Sequence, residues 1–124
     1  MIRKLLTVAS LLSIVIMAGC LVDKGELNPT VSQAFCDSLQ VTYNDTMKTL
    51  IDLQCANSIG CHGSQSSNGD FTSYANIEAS GRKNLIGSVV TTTDISQVMP
   101  LGSPLPDSVQ QLYTCWAEAN YPEQ

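Results

Sequence analysis

Apolar residues crowd most densely from Leu5 to Met17, after Arg3 and Lys4 and before the small residues Ala18 and Gly19. A positive start, a short apolar core and small residues at a cutting point describe a secretory signal peptide over residues 1–19. A membrane anchor is the competing reading, but the run falls short of the roughly 20 residues a span needs. Residues 20–33 contain Gly25, Asn28 and Pro29 without any apolar period, and read as a flexible tether. Folding is expected to begin near Phe35 or Cys36, which places one domain at 34–124.

Inside that domain the apolar spacing becomes helical. Asn44 is a candidate N-cap with Asp45 in the first turn, and Met47, Leu50 and Ile51 then share one face as far as about Gln54. Ala56 to Asp70 is rich in Gly, Ser and Asn, and reads as a loop. Ser73 can cap a short helix over Tyr74 to Ala79 that stops at Gly81. The stretch Leu85 to Val90 is open between a helical turn and extended chain. Met99 to Pro106 holds three prolines and a glycine, which excludes a helix interior or a central strand. Val109, Leu112, Trp116 and Ala119 define the clearest helix, starting at Asp107 or Ser108 and closed by Pro122. The pattern predicts an all-α domain of three to four short helices whose long loops have a task of their own.

Charge narrows the partners. Losing Arg3 and Lys4 with the signal leaves four basic residues against all eleven acidic ones, a formal charge of −7. That argues against nucleic acid and against anionic lipid head groups as partners. Aromatic residues are only 6% of the chain, so a disulfide, a metal or a large flat cofactor is expected to help fill the interior.

Met17-Ala18-Gly19-Cys20 resembles the bacterial lipobox, with Met where Leu is usual. That resemblance implies cleavage before Cys20, acylation of its thiol and membrane anchorage through more than one buried chain. Leu21 stands where an inner-membrane retention Asp would be, so the resemblance points to an exported, outer-membrane lipoprotein facing the periplasm. With Cys20 assigned to lipid, Cys36, Cys55, Cys61 and Cys115 remain. An even number in an oxidising compartment points to covalent bonds for all four.

His62, the only histidine, directly follows Cys61, and Met99-Pro100 lies in a later loop. Two thiols, an imidazole and a thioether are what a c-type haem requires: two thioethers to the porphyrin and one axial ligand on each side of iron. The same residues also allow a short Cys55–Cys61 disulfide with His62 merely adjacent, and Met99 as core filler.

The chain resembles the small monohaem c-type cytochromes found in lipoproteins of Bacteroidetes-like bacteria. The resemblance runs through Cys36-Asp37, Val41-Thr42-Tyr43, the Cys55 to Gly63 element, Asp70 to Tyr74, Leu85 to Val89, Met99 to Gly102, Leu105-Pro106-Asp107 and Trp116 to Ala119. It implies a class I-like cytochrome c domain with one covalent haem c, His62 as proximal ligand and Met99 as distal ligand. With both axial positions filled, it implies an electron carrier serving a redox protein partner, not an enzyme. It also implies that the first and last helices cross and join Cys36 to Cys115 by a disulfide. Five residues separate Cys55 from Cys61, where the family has two or, in some relatives, four. The extra residues must bulge outward, with Gly60 expected to make the return. Arg82 and Lys83 are candidate partners for haem propionates or a solvated pair, and Tyr74, Tyr113 and Trp116 are candidates for packing on the haem. Two other functions stay open: a haem-free binding or scaffold lipoprotein held by two disulfides, and copper capture by Cys, His and Met.

Overall fold

The computed structural model describes residues 31–124. The expected signal peptide, Cys20 and most of the expected tether lie outside the described residues. All regular structure among the described residues is helical: α1 (Gln33–Leu39), a π-helical turn (Tyr43–Met47) running into α2 (Lys48–Gln54), α3 (Tyr74–Ala79), a 3₁₀ turn (Lys83–Leu85) leading into α4 (Ile86–Thr91), and α5 (Asp107–Glu118). The all-α expectation holds, with more and shorter helical pieces than the spacing suggested. None is long and apolar enough to cross a membrane.

Two boundaries differ from the sequence reading. Ser32 caps α1, its hydroxyl accepting the Phe35 N–H, so the helix begins inside the expected tether. Little of its surface is buried: only Cys36 is buried on it, and Phe35 and Leu39 remain 40% and 41% exposed. The second boundary is the cap of the next helix. Thr42, in extended conformation, accepts the Asp45 N–H, and the first turn is π, with Met47 N–H bonded to the Thr42 carbonyl. Starting two residues before Asn44, the wide turn still brings Met47 and Ile51 fully into the core. The Ser73 cap, the Tyr74–Ala79 helix and the left-handed Gly81 after it are as expected. Leu85 to Val90 resolves as helical turns.

The last helix organises the rest. On α5, Tyr113, Thr114, Cys115 and Trp116 are buried in succession, so the helix is covered on all sides at mid-length. It packs mainly on α4, with α1 and the π turn also against it. Cys115 is disulfide-bonded to Cys36, tying α1 to α5. Trp116 meets Tyr121 edge-on, with centroids 5.0 Å apart, and Tyr43 lies between Trp116 and Tyr74. Four of the seven aromatic residues are thus gathered into one cluster. The C-terminal segment straps across it: Pro122 and Glu123 carbonyls accept the Tyr43 and Asn44 N–H groups, and Pro122 also accepts the Trp116 indole N–H.

Candidate functional site

Helix α2 delivers Cys55 at its C-cap. The chain then bulges through residues 56–60 and returns so that the His62 N–H bonds to the Cys55 carbonyl at 3.0 Å. The bulge is closed by the Ser58 carbonyl, which accepts from both Cys61 and Gly63. Here the sequence reading needs correcting. Gly60 has open surroundings, whereas a Cβ on Gly63 would lie 2.7 Å from the Ser58 backbone. The tight approach belongs to Gly63. Gly63→Ala is expected to cost about 1–3 kcal/mol in thermal unfolding, with Gly60→Ala close to neutral.

The loop beyond is bonded back to the same element. The Phe71 N–H bonds to the His62 carbonyl, the Ser66 hydroxyl to the Cys61 carbonyl, and the Asn68 amide to the Gly60 carbonyl. The His62 ring stacks on Phe71 with centroids 4.0 Å apart and planes 8° from parallel. Its Nδ1 lies 3.1 Å from the Gly69 carbonyl oxygen. A carbonyl can only accept, so in the neutral ring the proton sits on Nδ1 and Nε2 is the nitrogen left for a metal.

Asp70 pins this loop from outside. Its carboxylate accepts from the Thr72 hydroxyl and N–H and from the Gln65 N–H, and these bonds, the Thr72 hydroxyl first, hold its pKa down at about 2. A folded pKa below the unfolded value of 3.8 means that this contribution is complete above that value. It is lost as pH falls toward and through about 2. Protection of the Gln65 and Thr72 amides from hydrogen exchange should fall across that window, and Asp70→Asn should remove this component.

From a later loop, the Met99 N–H is held by the Val89 carbonyl at 2.8 Å. Cys55, Cys61, His62 and Met99 all line one cavity of about 250 Å³. An adjoining space of about 100 Å³ shares Cys55, His62, Arg82 and Met99 and is walled by Phe71, Ile86 and Val90. Leu101 and Leu85, on the walls of these spaces, are 68% and 56% exposed. A larger cavity of about 440 Å³ lies by the disulfide, lined by Gln33, Asp37 and Gln40, and gathers no comparable chemistry.

Cys55 and Cys61 are free thiols, the first buried and the second exposed. The Cys55 sulfur lies 3.7 Å from the Tyr113 hydroxyl. Burial raises the Cys55 pKa, with Tyr113 opposing, and burial pushes Tyr113 far above the ordinary phenol range. Both groups are therefore protonated at neutral pH. Of the aromatic candidates, Tyr113 reaches the site, whereas Trp116 and Tyr74 belong to the cluster beside Tyr43. Phe71 and Gly69 carry roles that the sequence did not reveal.

Two unpaired thiols, an imidazole with Nε2 available and a thioether share one cavity, and exposed leucines border it. Among the described residues no three His, Cys, Asp or Glu side chains converge as a metal site. Comparison with known family models, curated proteins and solved structures finds no match. The functional reading therefore rests on this geometry.

Proposed function

We propose that the chain is an exported, lipid-anchored electron carrier holding one covalently attached c-type haem. The observation that carries this reading is the meeting of Cys55, Cys61, His62 and Met99, from two distant loops, on the wall of one cavity. Cys55 and Cys61 would hold the group as thioethers, and His62 and Met99 would be the side chains that bind its iron. When bound, such a group accepts and returns a single electron. The chain's own part is to hold ligands and limit access. Gly69 fixes the His62 tautomer, Phe71 fixes the ring plane, and the Val89 carbonyl anchors the Met99 backbone. With both axial positions assigned to side chains, no coordination site is left for a substrate, which is why the reading is electron transfer and not catalysis.

The test is protein produced with a cytochrome c maturation system. Intact mass should rise by one haem, pyridine haemochrome should report a c-type adduct, and the oxidised protein should show the long-wavelength band of Met–iron ligation. Met99→Ala should lose that band and keep covalent haem. A colourless wild-type protein lighter by four hydrogens would instead favour the haem-free scaffold with two disulfides. The Cys36–Cys115 bridge suits either reading, but the separate thiols of Cys55 and Cys61 do not suit the scaffold's second bridge.

A further inference from the structure

Two adjacent basic side chains stand beside the site, and the structure uses them differently. Lys83 is already committed: its Nζ lies 2.7 Å from Glu78 Oε1 and 3.3 Å from the Tyr74 hydroxyl. Arg82 makes no ion pair among the described residues, yet it lines both the 250 Å³ and the 100 Å³ spaces. Among the described residues it is the only Lys, Arg, Asp or Glu on either wall. Its placement depends on Gly69, where a Cβ would meet Arg82 Cδ at 3.2 Å and Nε at 3.3 Å. Gly69 sits at φ +99°, which disfavours a side chain in any case. One glycine thus accepts the His62 proton bond through its carbonyl and leaves room for Arg82 at its α-carbon.

Resting on the haem reading above, we infer that Arg82, and not Lys83, is the cofactor's counter-charge, pairing with carboxylates at the porphyrin edge. A guanidinium is the side chain suited to planar carboxylate recognition, and its charge stays on at every accessible pH. A positive charge near the iron favours the reduced form, which carries one positive charge fewer. Removing it should lower the midpoint potential, and should also raise the pKa of the carboxylate it leaves behind.

The experiment compares haem-loaded wild type, Arg82→Gln, Arg82→Lys and Lys83→Gln by potentiometric titration from pH 5 to 8. Arg82→Gln should shift the reduced-to-oxidised ratio at fixed ambient potential toward oxidised by about tenfold, or ~59 mV for one electron. Its midpoint should fall with rising pH more steeply than that of wild type. Arg82→Lys should recover part of the shift, and Lys83→Gln should match wild type. Haem-loaded Arg82→Gln with unchanged midpoint and pH profile overturns this inference and leaves the haem reading standing. An equal shift in Lys83→Gln overturns the choice of Arg82. A wild-type protein without haem removes both.

Discussion

Protein carrying Cys55→Ser together with Cys61→Ser should leave the maturation system without covalent haem and without colour. The sulfurs are the attachment atoms in the proposed function, and serine hydroxyls do not form the equivalent bond under those conditions. Composition alone suggests that the interior would then collapse, because so few aromatics are available. The structure argues for a more local loss. Trp116, Tyr43, Tyr74 and Tyr121 pack together without using the cavity, and α5 is buried against α4. The double variant is expected to keep the circular dichroism of α5 and its neighbours. Amide protection should be lost between residues 55 and 71 and around Met99. A double variant that still carries haem in denaturing electrophoresis would sink the attachment assignment.

The second large effect concerns the disulfide. Cys36 and Cys115 are 79 residues apart in sequence and close a long loop. The loop-entropy account gives such a bridge roughly 4 kcal/mol. Replacing both by Ala should lower the thermal midpoint by about 15–30 °C for a domain of this size. The loss should concentrate in α1, whose only buried residue is Cys36 itself. A midpoint within a few degrees of wild type would mean that the bridge does not constrain the chain. Haem content, measured alongside, should be unchanged, because neither cysteine of the bridge lines the cavity.

What could be read in advance was local. The His62 position after Cys61, the Ser73 cap and the period of α5 are contained within a few neighbouring residues, and the structure places each helix accordingly. Signals were lost where two local solutions compete. Thr42 and Asn44 are both able caps, and the choice fell to Thr42 because the backbone stays extended there and winds into a π turn afterwards. Helix α1 has Phe35 and Leu39 at helical spacing yet leaves both exposed, so a covalent bond supplies what a buried hydrophobic face would otherwise supply. Phe71 against His62, Gly69 beneath Arg82 and Gly63 against Ser58 are meetings across a folded loop. No spacing rule announces them. Gly60 and Gly63 look alike in sequence, and only the path of the bulge separates the permissive glycine from the required one.

The two ends of that long disulfide loop also give the domain a front and a back. Tyr113 and Cys115 are two positions apart on α5, about 200° around the helix at 3.6 residues per turn. Tyr113 reaches Cys55 at the cavity, while Cys115 holds Cys36 and with it the helix by which the described chain enters. The last helix therefore stands as a partition between the point of entry and the chemistry. In the proposed lipoprotein, the thiols, His62 and Met99 would lie across that partition from the side on which the described chain enters.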